Sequence, residues 1–355
     1  MIELSKEQQR IVEAKESKVL VASCAGSGKT RCLIGRFQYL IDSGVSPDKI
    51  VMITFTNAAA EEISERLGQH KGAFIGTIHS YANYLLISRG EDTADVLEKE
   101  QFDKLFDRVK NCPDCVRKVE HLLLDEGQDS TKIQFEFLFD IIRPENWMVF
   151  ADWRQSVYRW NGAYPDYILN LSKQADVTTY PLDENYRNAN TILQFAKNII
   201  MGAGADYRDE SEPMRGITGK VSPDVEYNPY AIARTFAEMK SGFGTWFILT
   251  RTNSQIDELA SVFDKFKVPY DTFKRAQLDN KELNKKMKED TVKILTIHTA
   301  KGLEADNVIV VGARFYNVEE KCVSYVAATR ARNRLIWTRT PNRVKQQFRT
   351  NNWET

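Results

Sequence analysis

The sequence predicts an α/β protein with parallel sheets in two domains, and three stretches carry that prediction. Near the start, the short run Lys18-Val19-Leu20-Val21-Ala22-Ser23 breaks into Cys24-Ala25-Gly26-Ser27-Gly28-Lys29-Thr30. A segment with Leu33, Ile34, Phe37, Leu40 and Ile41 at helical spacing follows it. Further on, the apolar run His121-Leu122-Leu123-Leu124 ends in Asp125-Glu126. From about Leu182 a second alternation of apolar runs and amphipathic segments begins.

The first stretch is a buried strand, a tight loop and a helix, the setting of a phosphate-binding P-loop. Backbone N–H groups of Ala25, Gly26, Ser27 and Gly28, with the following helix N-terminus, face the anionic phosphates in such a loop. Lys29 adds a point charge for the β- and γ-phosphates, and the Thr30 hydroxyl is placed to ligate Mg²⁺. The full pattern asks for Gly six residues before the Lys, where this chain has Ser23. A chance Gly-Ser-Gly turn is the competing reading, and the strand before it and helix after it weigh against that. The second stretch has the Walker B form. Asp125 is carried to the metal on a strand end, and Glu126 is placed to polarise an attacking water.

Composition bounds the rest. A length of 355 residues fits about two domains with real cores. Lys+Arg and Asp+Glu both number 49, which argues against a protein that coats nucleic acid by bulk positive charge. A local binding groove is compatible with that balance. No apolar run is long enough to span a membrane and no signal peptide is evident, so the expectation is a cytoplasmic protein with no membrane partner. The five cysteines lack disulfide-framework spacing. Cys112 and Cys115 form the one close pair. With His121 nearby, zinc or redox chemistry is the minor reading and surface-loop cysteines the major one.

Taken in order, residues 4–12 begin with an N-cap signal and form a first helix. Residues 50–55 form a second buried strand, and Thr56-Asn57 caps a helix carrying Ala58, Ala59, Ile63 and Leu67. A short strand at 74–77, a helix at 80–88 and one amphipathic helix over 93–110 precede the Walker B strand. Residues 147–151 form a strand that leads into Asp152-Trp153-Arg154-Gln155-Ser156-Val157-Tyr158-Arg159-Trp160. Strands alternating with helices make a doubly wound sheet with ligands at the carboxyl ends of its strands. In the second half, helices at 189–200 and 231–239 flank a Gly/Asp/Pro-rich loop at 202–223. Strands follow at 246–249, 292–296, 307–311 and 334–338, with a helix over 318–331. Residues 281–290 are a solvated charge run. His70 and His121 read as structural. The expected domains are 1–182 and 183–340, with a polar tail at 341–355.

In this order the pieces resemble the UvrD/Rep/PcrA family of superfamily 1 DNA helicases, across nearly the whole chain. Residues 4–12 resemble the family's Gln motif, 54–62 and 76–80 its first DNA-contact motifs, and 125–129 its Asp-Glu-x-Gln-Asp box. Residues 155–163, 182–188, 296–304 and 325–331 match its later motifs. The resemblance implies two RecA-like domains, ATP and Mg²⁺ as cofactors, and single-stranded DNA, including single-strand/duplex junctions, as partner. It implies that Gln8, Arg31 and Tyr186 lie at the adenine, Glu304 at the ribose, and Gln155 at the γ-phosphate. Arg187 and Arg330 are the implied arginine fingers, worth about 10³–10⁵ in rate in such enzymes. Because both lie in the second domain, the resemblance makes domain closure on ATP the stepping device. Phe55, Tyr158 and Trp160 are the implied base-stacking faces, and Asn57, His79 and His298 the polar DNA contacts. Implied activity is ATP-dependent 3′→5′ translocation or unwinding.

Departures from the family pattern are visible. Its usual Lys is Ala58 here, and its Gly-Asp-x-Asp-Gln reads Ala151-Asp152-Trp153-Arg154-Gln155. The segments between Ser80 and Leu122 and between Arg187 and Thr296 are too short for the family's inserted subdomains. That opens two alternatives: an ATP-gated binding or loading subunit that needs a protein partner in place of those subdomains, and an RNA-directed helicase.

Overall fold

The computed structural model describes residues 3–68, 72–274 and 285–339, and the chain divides into two compact units, residues 1–184 and 185–355. Each is an α/β unit around a six-stranded, all-parallel sheet.

The first sheet contains β1 (Lys18–Ser23), β2 (Ile50–Ile53), β3 (Phe74–Gly76), β4 (His121–Leu124), β5 (Asn146–Ala151) and β6 (Thr178–Leu182), in the order β3-β2-β4-β5-β1-β6. Near-continuous apolar runs are what a sheet covered on both faces requires. Alternate residues of the same strands enter two different cores. Leu20, Val51, Ile53, Leu122, Leu124 and Val149 face one, with Phe106, Phe135 and Phe137. Val19, Val21, Ile50, Met52, Leu123, Met148 and Phe150 face the other, with Leu33, Phe37 and Ile63. Parallel pairing puts every carboxyl end on one edge. That edge therefore collects Cys24–Thr30, Phe55, Thr77–His79, Asp125–Glu126 and Asp152–Gln155.

The two-residue strands β7 (Glu184–Asn185), at the boundary of the units, and β8 (Glu212–Pro213) form a small separate sheet. The six-stranded sheet of the second unit contains β9 (Lys220–Glu226), β10 (Trp246–Thr250), β11 (Tyr270–Phe273), β12 (Val292–Thr296), β13 (Ala305–Val311) and β14 (Ala331–Arg339). The order is β11-β12-β10-β13-β14-β9. Ile248, Ile294, Ile309 and Val311 pack against Ile256, Leu259, Phe263 and Phe236 of the covering helices.

Several local expectations need correction. Residues 202–223 are not one loop: they contain β8 and the start of β9, which pairs with β14 at the sheet edge. Its mostly exposed residues and Pro223 hid it, since an edge strand tolerates both. β11, beside β12 at the opposite edge, is a further strand beyond those expected. The single helix expected over 93–110 is two short ones, Ala94–Glu98 and Lys104–Lys110, separated at Glu100, whose φ is 51°. Consequently Leu97 and Phe102 are exposed, while Leu105, Phe106 and Val109 are buried. The helix expected over 318–331 is Val318–Thr329, and Ala331 already belongs to β14. Cys112 and Cys115 are joined as a disulfide across a tight turn, with Cys115 fully buried, so they are not simple surface-loop cysteines. His70, the tail at 341–355 and positions 281–284 of the charge run lie outside the described residues. Among the described residues no helix is long and apolar enough to cross a membrane.

Candidate nucleotide and nucleic-acid site

The loop after β1 turns at Gly26 and Gly28, with φ of 69° and 84°, a region that glycine enters without a Cβ clash. Helix Lys29–Asp42 starts immediately, so its unpaired N–H groups open onto the loop. Gln8 is buried against this loop. Its Nε2 donates to the Ser27 carbonyl at 3.0 Å, and its Oε1 accepts from the Ser5 backbone N–H at 3.1 Å, closing a capping box. The structure thus gives Gln8 a loop-bracing role beside the adenine contact that the resemblance implies. Arg31 is exposed, its Nη1 reaching the Glu3 carbonyl at 3.4 Å.

Lys29 Nζ lies 3.5 Å from Glu126 Oε1, bringing the P-loop cation to the end of β4. Asp125 is buried, and its Oδ1 accepts from the Glu126 backbone N–H at 2.9 Å. Glu126 sits at φ 51°, ψ 41°, left-handed for a non-glycine residue, which aims its side chain off the strand line. A chain of contacts continues along the edge. Gln128 Nε2 donates to Glu126 Oε2, and Gln128 Oε1 accepts from the Asp152 backbone N–H at 2.9 Å. The Asp152 carboxylate accepts from Gln155 Nε2 at 2.7 Å and from Arg154 Nε at 2.7 Å.

The donor set suits a nucleoside triphosphate with Mg²⁺: a glycine-turned anion loop, one lysine followed by a threonine, and a buried aspartate at a strand end of the same sheet. Mg²⁺ commonly takes only one or two protein ligands and completes its shell with phosphate and water. No cluster of three or more His, Cys, Asp or Glu able to hold a metal occurs among the described residues.

Beside Glu126, a cavity of about 220 Å³ is lined by Thr54, Phe55, Thr77, His79, Asp125 and Asn161, among others. Phe55 and Tyr158 stack on each other, with centroids 5.0 Å apart and planes 19° apart, so each ring already has one face covered. Tyr158 is buried, whereas Trp160 is 59% exposed. Asn57 is the exposed first residue of helix Asn57–Leu67. His79 is held by Asp103 at 3.0 Å and stacks on Phe106, centroids 5.0 Å apart. Those partners come from the short segment preceding β4.

In the second unit Arg187, Glu304 and Arg330 come together from widely separated positions. Arg187 Nε pairs with Glu304 Oε2, and Arg332 Nη1 pairs with Glu304 Oε1 at 2.9 Å. Burial alone would raise the Glu304 carboxyl, but Arg187, then Arg332 and Arg330, outweigh it and hold it below its ordinary value. Arg330 donates from Nε to the Val326 carbonyl at 3.1 Å and from Nη1 to the Leu303 carbonyl at 3.3 Å. Tyr186 is exposed at 42%. His298 follows the carboxyl end of β12, while Glu304 precedes the amino end of the parallel β13, so residues 297–304 cross from one sheet edge to the other.

Sequence reading overlooked the residues that hold these groups. Asn185 Oδ1 caps the backbone N–H groups of Arg187 and Asn188, at 3.0 and 2.8 Å. Asn188 Nδ2 donates to the carbonyls of Thr329 and Ala331, tying the Arg187 turn to either side of Arg330. Gln128 and Asp152 bridge the first site. All four lie inside the recognised motifs, which was the available signal.

A glycine-turned P-loop after β1, and a parallel strand of the same sheet, β4, one strand removed across β5 and ending in paired acids, define a P-loop nucleoside triphosphatase unit; an all-parallel second unit accompanies it. The profile of the UvrD/REP helicase N-terminal domain matches residues 4–111 and 102–176, and that of the UvrD-like helicase C-terminal domain matches residues 271–341. The chain belongs to the UvrD/REP helicase family. It is 24% identical to the ATP-dependent DNA helicase PcrA of Staphylococcus epidermidis strain RP62A. It is 25% identical to the PcrA of Staphylococcus aureus strains Mu50 and NCTC 8325. Each alignment covers 75% of this chain and 50% of the relative, so the chain spans about half the length of these curated relatives.

Proposed function

We propose that the chain is an ATP- and Mg²⁺-dependent motor that translocates 3′→5′ on single-stranded DNA, in the manner of a UvrD/Rep helicase. The observation that carries this reading is the continuous edge of the first sheet. There Lys29 and Glu126 are linked through Gln128 and Asp152 to Gln155, and Phe55, Tyr158 and Trp160 lie a few residues along the same edge. Bound Mg²⁺·ATP supplies the transferable γ-phosphoryl group and a metal that spreads its charge. With it bound, Lys29 would neutralise the β- and γ-phosphates, Thr30 and Asp125 would hold the metal, and Glu126 would take the proton of the attacking water. Gln155 senses the γ-phosphate. Arg187 and Arg330 are assigned to the transferred charge, Tyr186 to the base and Glu304 to the ribose. Residues 297–304, which cross their sheet, support coupling between nucleotide at Glu304 and nucleic acid at His298.

Streptavidin displacement tests the polarity. Nucleic acid carrying biotin at its 5′ end should be cleared in an ATP-dependent manner, and the 3′-biotin strand should not. Preferential clearing from the 3′ end would overturn the polarity, and activity on RNA alone would replace the DNA reading.

The segment between the helix Ile78–Ile87 and β4 favours a second reading. It consists only of two short helices and a turn, one of which clasps His79. A chain this short on domain 1 insertions fits a translocase or loading subunit that unwinds duplex only with a partner. Unwinding that appears only on reconstitution distinguishes this from an autonomous helicase.

A further inference from the structure

The two departures from the family pattern nearest the nucleotide site, Ser23 and Arg154, touch each other. Arg154 is 4% exposed, and its planar side chain works in two directions. Its Nε donates to Asp152 Oδ1 at 2.7 Å, and its Nη2 donates to the Ser23 carbonyl at 2.7 Å, the last residue before the P-loop. The Ser23 hydroxyl in turn donates to the Ala151 carbonyl at 2.9 Å, just before Asp152. On its other oxygen, Asp152 accepts from Gln155 Nε2 at 2.7 Å. Asp152 is completely buried, so a charge there requires a cationic partner with fixed geometry. A carboxylate in the place of Arg154 would reach neither the Ser23 carbonyl nor the Asp152 carboxylate as a donor.

Resting on the motor reading above, we propose that Arg154 is a positioning residue. It fastens the Asp152–Gln155 pair to the root of the P-loop, so that the γ-phosphate-sensing amide and the phosphate-binding loop move as one piece. Charge alone does not suffice for this. A guanidinium presents fixed, divergent N–H groups to two acceptors, whereas an ammonium is a point donor. Arg154→Lys therefore keeps the charge beside Asp152 and loses the bridge.

The experiment is a double-mutant cycle read by nucleotide binding, independent of turnover. Wild type, Gln155→Ala, Arg154→Lys and the double variant are titrated with the slowly hydrolysed analogue ATPγS and with ADP, at temperatures where urea melts show each to be folded. Gln155→Ala should weaken ATPγS about tenfold and leave ADP within about twofold. Arg154→Lys should do the same, and the double variant should be no worse than either single within about twofold, because both remove one coupled unit. Multiplying losses, equal losses for ADP and ATPγS, or wild-type ATPγS affinity in Arg154→Lys would each overturn the proposal and leave the motor reading standing. A wild type that binds neither nucleotide overturns both. Should Arg154→Lys not fold, Asp152→Asn with Arg154→Met removes the buried charge pair together, and the same loss of preference for ATPγS is expected of it.

Discussion

Replacing Trp160 and Tyr158 separately divides nucleic-acid stacking from core packing, because the two rings sit in opposite environments two residues apart. Trp160 is 59% exposed, so Trp160→Ala removes little buried surface and should change unfolding free energy by no more than about 0.5 kcal/mol. If its face receives a base, the lost stack is worth about 1–3 kcal/mol, or about 5- to 150-fold in affinity. Tyr158 is 8% exposed and stacked on Phe55. Its truncation opens a cavity and removes a ring pair, which together cost about 3 kcal/mol or more. Anisotropy of a labelled single-stranded oligothymidine at one fixed salt concentration reports binding, since phosphate contacts make affinity salt-dependent. Urea unfolding reports stability. The pattern expected is weakened binding with intact stability for Trp160→Ala, and lowered stability for Tyr158→Ala. Wild-type oligonucleotide affinity in Trp160→Ala would refute the assignment of this edge to base stacking.

Three further outcomes follow from the same geometry. A Cβ on Gly127 would come within 2.7 Å of Val149 Cγ1 and 3.3 Å of Ile168 Cδ1, so Gly127→Ala should cost about 1–3 kcal/mol by urea melt; an unchanged midpoint would count against the packing described. Burial, and then Arg36, lower the His121 imidazole below its ordinary 6.5, so the unfolded chain binds the proton more readily. Stability should therefore fall as pH drops below about 6.5, and His121→Gln should flatten that slope; an identical slope in the variant would locate the titration elsewhere. Reducing the Cys112–Cys115 bridge releases a short loop, and the chain-entropy relation puts the loss at about 2 kcal/mol. A denaturation midpoint unaffected by thiol reductant would show that the bridge contributes nothing in solution.

What the sequence revealed follows from how local the signals are. The P-loop, the Walker B acids and the central strands declare themselves through contiguous residues: a β-branched run, a glycine turn, an amphipathic helix. The carboxyl-edge placement of Phe55, Glu126 and Gln155 came from parallel topology alone. Edge strands were another matter. β9 is polar, exposed and contains Pro223, and nothing in its own residues separates it from a loop until β14 is beside it. Long-range polar bridges were equally hidden. That Gln8 braces Ser27, Arg154 reaches Ser23, and Asn188 binds either side of Arg330 depends on contacts spanning 19, 131 and about 140 positions. The family resemblance likewise marked Phe55 and Tyr158 as candidate platforms but did not reveal that they stack on each other.

The central claim is that Lys29 and Glu126 serve a hydrolytic site coupled to nucleic acid on one sheet edge. ATP hydrolysis by the full chain with Mg²⁺, measured with and without single-stranded DNA and with Lys29→Ala as the blank, tests it most directly. The account predicts hydrolysis that DNA stimulates strongly and that the Lys29 variant lacks. Hydrolysis equal in wild type and Lys29→Ala, or a wild type whose turnover is indifferent to DNA, would contradict it.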